Sequence, residues 1–404
     1  MTTFILKNVK TENSIWDDSI SYVSDLTKVN NVLIQDSKIV KYLSNAELLK
    51  YNNLPTIDGE NLLLLPSFRE MHCHLDKSKL GTPWTPISKA DSIIERFENE
   101  PGELNDLTLS LQERASNLID LELDNGVNHF RTHIDVHSRV GLDYLYQTQV
   151  AINDYQNKAS FDVVAFPQHG LLRSDSISVV DEALSNGANL IGGVDPSSVD
   201  KDIKKSLYET FNLAVKHDVD IDIHIHIHDR GQQFIDTLKY LIQLTEESNW
   251  QNRVTISHGF GLNDLGNQSD VFFHQMNKNK IQVISSVPIS GEIPPLEQIR
   301  QYQISTALGC DNIYDSWSPY GDANIKGKLA RYGEIFNIKY HNDLINLLPL
   351  ITGKSLNLTD NDNISGLNIG DDANFVLIEA DCIAEFIARP SKVVRNFYRG
   401  KQII

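Results

Sequence analysis

Short apolar runs alternate with stretches of helical periodicity along most of the chain. The runs are bounded by Gly, Asn and Asp, which favours β-strands separated by helices and turns. Helices are predicted over residues 176–186, 201–216 and 232–247. Strands are predicted over residues 129–136, 162–166, 190–194, 221–227, 254–257, 281–285 and 306–308.

This alternation is typical of βαβ units around a parallel sheet. With the strand that precedes His72 the count is eight, which matches a (β/α)8 barrel. The two ends of the chain contain short strand-like runs such as 62–65 and 375–378 instead. We therefore predict an α/β fold, with a TIM-like barrel over 66–352 and a small β-sandwich domain formed by both termini. The terminal parts are residues 1–65 and 353–404.

The predicted strand 221–227 and the residue after it carry an unusual polar face. Successive strand side chains point to opposite sides, so Asp222, His224, His226 and His228 share one side and the isoleucines share the other. The outer face of a barrel packs against helices, which suits the isoleucines. Imidazoles and a carboxylate facing inward are costly unless they bind something.

The predicted strand 129–136 repeats this pattern with two histidines, an arginine and an aspartate. His72 and His74 lie two residues apart, so both can point toward one Zn or Fe(II) ion. Any one of these strands alone is explained by hydrogen-bonded core histidines. Several together, with polar residues toward the strand ends, predict a metal site at the barrel mouth. His133 and Asp135 are expected to support its ligands.

These segments resemble the amidohydrolase superfamily, specifically its cytosine deaminase-like branch, from about residue 55 to the C-terminus. The resemblance is carried by residues 66–77, 126–136, 164–170, 257–258 and 309–317. It implies one divalent metal ion, Zn or Fe(II), because residues 190–196 lack the lysine that would bridge a second ion. The implied ligands are His72, His74, one fifth-strand histidine, His258 and Asp311.

The fifth-strand ligand is ambiguous in the sequence. The family places an acidic residue three positions after this ligand; His226 has Asp229 there, whereas His224 has Ile227. Counting from Phe211 in the preceding helix favours His224 instead. We choose His226, because loops before strands vary in length more readily than site chemistry.

The resemblance also implies roles in catalysis. The metal acts as a Lewis acid on water, Asp311 accepts a proton, and Asp229 serves as general acid/base. Gln168 would read a ring amide edge, Trp317 would wall the pocket, and Asn312 would contact the substrate. The alternatives are a turn or helix cap for Asp229, a surface side chain for Gln168 and a core position for Trp317.

The implied activity is hydrolysis of C–N bonds other than peptide bonds, chiefly deamination of a small cyclic amidine or nucleobase-like heterocycle. Asp229 and Asn312 stand where a cytosine deaminase has Glu and a second Asp, so cytosine itself is not indicated. One alternative is an amidohydrolase that cleaves a small amide or N-alkyl bond. Another is an inactive metal-binding protein, although no implied ligand is missing.

The composition indicates which kinds of binding partner this protein can have. The 404 residues are 41% hydrophobic, which is enough for a large core. The net charge of −18 disfavours nucleic acid, and no apolar run reaches the length of a membrane span. Three cysteines without a CxxC pair fit a reducing cytoplasm. We expect a small-molecule substrate, and a homo-oligomer is compatible with the sequence.

Overall fold

The computed structural model describes residues 3–17, 19–20, 22, 26–226, 229–289, 293–356 and 366–404. The last residue of the predicted strand 221–227 and His228 therefore lie outside the described residues. The described strands are β1 (Thr3–Glu12), β2 (Thr27–Gln35), β3 (Lys38–Leu43), β4 (Thr56–Asp58), β5 (Leu63–Pro66), β6 (Phe68–Cys73), β7 (Val127–Asp135), β8 (Ser160–Phe166), β9 (Leu190–Val194), β10 (Asp220–Ile225), β11 (Val254–His258), β12 (Gln282–Ser285), β13 (Thr306–Leu308), β14 (Phe375–Ile378), β15 (Val393–Tyr398) and β16 (Lys401–Gln402).

Helices fill most of the connections between these strands. The described α-helices are α1 (Asn45–Leu48), α2 (Ile93–Asn105), α3 (Leu111–Asp124), α4 (Asp143–Asn153), α5 (Ile177–Ser185), α6 (Ile203–His217), α7 (Gly231–Glu247), α8 (Ser269–Asn279), α9 (Leu296–Gln301), α10 (Ile325–Ile335), α11 (His341–Ile345), α12 (Pro349–Thr352) and α13 (Ile383–Ala388). Two 3-10 helices cover Leu49–Tyr51 and Phe260–Gln268. The three helices predicted from the sequence correspond to α5, α6 and α7.

Strands β6 to β13 form an eight-stranded parallel sheet in chain order. A parallel bridge between Cys73 and Asp311 brings the first strand against the segment after the last, and nearly closes the sheet. The isoleucines at 221, 223 and 225 are fully buried in the main apolar cluster with residues of α6 and α7. Such burial stabilises the fold by roughly 1.5–3 kcal/mol per side chain. The predicted (β/α)8 barrel is confirmed.

The two ends of the chain meet in a second sheet, with the order β16-β15-β14-β5-β1-β2-β3 and with β4 beside β1. Strand β5 from the N-terminal part pairs with β14 from the C-terminal part. Alternate residues of β1 enter different apolar clusters, with Phe4 and Leu6 in one and Ile5 in the other. The small β-domain predicted from both termini is confirmed.

The first barrel strand differs in detail from the prediction. His72 lies within β6, whereas the apolar run 62–65 that precedes it belongs mainly to β5 of the terminal sheet. Only Ser67 separates the two strands. The run is apolar throughout because Leu63, Leu64 and Leu65 are all fully buried, so it resembles a barrel strand.

Two structural facts bear on the expectations drawn from composition. Cys73, Cys310 and Cys382 are buried free thiols. Among the described residues, no helix combines the length and the hydropathy that crossing a lipid bilayer requires.

Candidate active site

The carboxyl ends of the barrel strands surround a cavity of about 450 Å³. His72 is almost fully buried beside this cavity, and Asp229 does not line it. Most of the other residues predicted from the sequence do line it: His74, Gln168, His226, His258, Asp311, Asn312 and Trp317. Residues far apart in the chain thus converge at one mouth, as the parallel strands require.

Four of the predicted metal ligands lie close together. Asp311 Oδ1 is 3.5 Å from His74 Nε2 and 3.6 Å from His72 Nε2. His72, His258 and Asp311 each offer a ligand atom within 4.8 Å of the other two. These separations suit donors around one small cation.

The far nitrogens of the first-strand histidines fix their tautomers. His74 Nδ1 lies 3.1 Å from the backbone carbonyl of His133, which can only accept a proton. His72 Nδ1 lies 2.9 Å from the Ser257 hydroxyl, and that hydroxyl donates to Asp222. Both Nδ1 atoms therefore donate, which leaves a lone pair on each Nε2, as a metal requires.

Several buried ring nitrogens in this region have no hydrogen-bond partner. Among them are Nε2 of His72 and of His258, Nδ1 of His226, and both ring nitrogens of His133 and His224. We call His72, His133, His224 and His258 the histidine cluster. Burial lowers the pKa of His72 and His224 well below the usual range and that of His258 to about 3, so the rings are neutral. Leaving buried polar atoms unpaired costs about 1–3 kcal/mol each. Neutral, unpartnered imidazoles fit a metal ion.

The fifth-strand histidines occupy different places. The His224 ring lies 4.6 Å from the His72 ring and 5.1 Å from the His258 ring, measured between centroids. The His226 ring lies 4.4 Å from the His258 ring, but its Nδ1 is 3.3 Å from Asp195 Oδ2 and its side chain is 26% exposed. The burial of His224 and its contact with His72 favour it as the ligand. Ligand atoms of His224, His226 and His258 also lie within 4.8 Å of one another, and His226 stays a prediction.

Two predicted ligands have left-handed backbone conformations. The φ angles are +71° at His258 and +61° at Asp311, and such angles cost about 1–2 kcal/mol in residues with a Cβ. Ser257 already points into the barrel, so regular alternation would turn His258 outward. The left-handed conformation instead leaves His258 lining the cavity.

Gly309 lets the segment before Asp311 pass close to the first barrel strand, because a Cβ there would lie 2.4 Å from the Cβ of His72.

Glu70 is a supporting residue that our sequence reasoning missed. Its buried carboxylate accepts hydrogen bonds from the backbone N–H of His72 at 2.9 Å and of Cys310 at 2.8 Å. It therefore ties the first strand to the segment that carries Asp311. Burial raises the pKa of Glu70 to about 7. Its position two residues before His72, on the same strand face, was the available signal.

Asp229 lies apart from this group. Its carboxylate accepts hydrogen bonds from the backbone N–H of Ser197 at 2.9 Å and of Ser198 at 2.8 Å. Burial raises its pKa above the usual range. These contacts hold a loop, and proton transfer by Asp229 stays a prediction.

Gln168 belongs to a second group of buried polar side chains, which are joined by hydrogen bonds. Its side chain contacts Lys77, Glu100 and Asp135, and we call these four residues the lysine cluster. Trp317 Nε1 donates to Glu100 at 2.7 Å. Sequence patterns did not indicate these roles for Lys77 and Glu100, because no spacing rule links a loop residue to a residue of a later helix.

Known proteins resemble the whole chain. The model of the Amidohydrolase family matches residues 157–402. An uncharacterized protein of Escherichia coli K12, YahJ, is 33% identical over 99% of this chain and 87% of its own length. The N-isopropylammelide isopropyl amidohydrolase of Pseudomonas sp. strain ADP is 26% identical over 89% of this chain and 90% of its own.

A solved structure shows the same fold over the full chain. It is the N-isopropylammelide isopropylaminohydrolase from Burkholderia multivorans ATCC 17616, with a TM-score of 0.86 and 25% identity, covering 100% of this chain and 98% of that one. The barrel and the residues at its mouth define a metal-dependent hydrolase. This chain belongs to the amidohydrolase family, and the predicted class of enzyme, a hydrolase of C–N bonds, is confirmed.

Proposed function

We propose that this enzyme hydrolyses the bond between a small nitrogen heterocycle and an amino substituent, releasing ammonia. The observation that carries the proposal is the histidine cluster, whose unpartnered ring nitrogens lie beside Asp311. The adjoining cavity of about 450 Å³ suits a small ring. Phe97 and Phe166 line it and would exclude water from the bound ring.

One divalent ion, Zn or Fe(II), fits these donors, since both metals accept several imidazoles and a carboxylate. When bound, it would supply Lewis-acid activation of water. For the ligand from the fifth barrel strand, the ring contacts favour His224 and the sequence favours His226. The other proposed ligands are His72, His74, His258 and Asp311.

The remaining roles belong to side chains around the cavity. Asp311 would take a proton from the attacking water at its carboxylate. Gln168 and Asn312 would contact the ring, and Trp317 would wall it. A proton relay through Asp229 would require its carboxylate to leave the loop amides that it now binds.

A second candidate function is release of an alkylamine by the same site. Its support is the similarity to two proteins named for hydrolysis of N-isopropylammelide, at 26% and 25% identity. The two candidates differ in product, because one yields ammonia and the other an amine.

Metal analysis and product analysis test the proposal together. The purified enzyme should hold about one metal ion per chain and release ammonia or alkylamine from a panel of amino- and alkylamino-substituted pyrimidines and triazines. Asp311→Asn and His258→Ala should lose both metal and turnover. His274→Ala is the matched control, because that side chain is 70% exposed on α8. Full metal content in the first two variants would refute the ligand assignment.

A further inference from the structure

Lys77 has no hydrogen-bonding capacity left for a ligand. Its ammonium donates to Gln168 Oε1 at 2.5 Å, to Glu100 Oε2 at 2.8 Å and to Asp135 Oδ2 at 2.9 Å. An ammonium has three protons, so all are used. Burial opposes the charge, but the carboxylates of Asp135 and Glu100 outweigh it and raise the pKa of Lys77 above its usual range. Lys77 lines the cavity as a charged but fully bound group.

The same contacts fix the amide of Gln168. Its Nε2 donates to Glu100 Oε2 at 2.6 Å and to Asp135 Oδ2 at 3.2 Å, which uses both amide protons. A flipped amide would turn its NH₂ toward the ammonium of Lys77 and its oxygen toward two carboxylates. The second lone pair of Oε1 therefore remains for a ligand. Gln168 can accept a hydrogen bond but has no proton left to donate.

Two other cavity residues also use donors inside the protein. The one N–H of the Trp317 ring is bound to Glu100. Asn312 Nδ2 donates to Asp315 Oδ2 at 2.8 Å. The residues predicted to contact the substrate thus offer it fewer donors than their side-chain types suggest.

The cations of the cavity wall are paired as well. Within the described part of the chain, the lysine and arginine side chains that line the cavity are Lys77 and Arg96. The guanidinium of Arg96 binds both carboxylate oxygens of Glu103, at 3.0 and 3.1 Å. Both cations are thus paired with carboxylates of the protein, and the positive charge that a ligand would meet is that of the proposed divalent ion.

We propose that the lysine cluster makes Gln168 a hydrogen-bond acceptor only, so that the cavity selects heterocycles that donate an N–H at this point. Lys77 and Glu100 are then positioning residues for substrate choice. This inference rests on the proposed function, because Gln168 must face the bound ring. A site built to bind an N–H strongly rejects an analogue that lacks it.

Ligands without an amino group separate binding from turnover. We expect uracil to bind at least about tenfold more tightly than 1,3-dimethyluracil, which has no N–H. Affinities are measured by isothermal titration calorimetry at neutral pH. Thymine controls for bulk, since it adds a methyl group but keeps both ring N–H groups.

Variants of the lysine cluster test the positioning role. In Glu100→Gln, the preference for uracil over 1,3-dimethyluracil should fall below about threefold, because a charged acceptor no longer holds the Gln168 amide. Gln168→Leu should lose the preference too. Glu98→Gln, at a half-exposed position two residues away on α2, should retain it. General loosening of the cavity would weaken both ligands alike and leave their ratio unchanged.

Three results would overturn the inference. They are equal or tighter binding of 1,3-dimethyluracil, an unchanged ratio in folded Glu100→Gln, and absence of uracil binding. Normal metal content and turnover together with any of these would leave the proposed function standing. Conversely, the uracil preference in a protein without C–N hydrolysis would support the cavity selectivity and refute the proposed function.

Discussion

Two buried polar groups border the same cavity and differ in how far their hydrogen bonds are satisfied. In the lysine cluster, all three protons of Lys77 and both amide protons of Gln168 are bound, and Asp135 Oδ1 is the exception. In the histidine cluster, each of the four members has at least one ring nitrogen without a hydrogen-bond partner. Native proteins seldom leave such groups unpaired. The donors of Lys77 and Gln168 are therefore satisfied without a ligand, whereas the histidine cluster is arranged for one.

Removing the cation of the lysine cluster tests this contrast most strongly. Lys77→Met keeps an unbranched side chain, one heavy atom shorter, but leaves the carboxylates of Glu100 and Asp135 buried without their cation. We expect the free energy of unfolding to fall by about 3–5 kcal/mol, measured by urea denaturation. Lys278→Met is the control, because Lys278 pairs with Glu246 on the surface and is 72% exposed. A loss below about 1 kcal/mol for Lys77→Met would show that the cluster does not stabilise the fold.

Metal affinity distinguishes members of the histidine cluster from their neighbours. We expect His224→Ala to weaken zinc binding by more than about 100-fold and His226→Ala by only about tenfold, the lower end of the range for a residue that contacts a ligand without binding the metal. Competition with a chromogenic chelator measures both affinities. The reverse order would restore the sequence-based choice of His226, and with it the significance of Asp229 three residues later.

Much of this arrangement follows from the sequence, because parallel strands bring their carboxyl ends to one mouth. The position of His258 after Ser257, the spacing of His72 and His74, and Asp311 after an apolar run were enough to predict the shared cavity. The terminal β-domain followed from the short apolar runs at both ends of the chain. These features depend on local periodicity and on a known rule of topology.

What the sequence could not supply depends on exact strand ends and on contacts between distant side chains. The alternation of residues 222–226 gives His224 and His226 the same face, and their difference arises because β10 ends at Ile225. The left-handed conformation of His258 is not encoded by alternation. The pairing of Lys77 with Glu100 joins a loop to helix α2. It could be recognised only from the three-dimensional structure.

Asp229→Asn gives the smallest expected effect. It tests whether Asp229 holds a loop in place or transfers a proton. Its carboxylate accepts hydrogen bonds from the N–H groups of Ser197 and Ser198, and an amide would replace one accepting oxygen with a donor. We expect the free energy of unfolding to fall by about 1–2 kcal/mol. Asp236→Asn, at an exposed position on α7, is the control and should change it by less than about 0.5 kcal/mol. A fall in kcat of about 100-fold or more at unchanged stability would instead assign Asp229 to proton transfer.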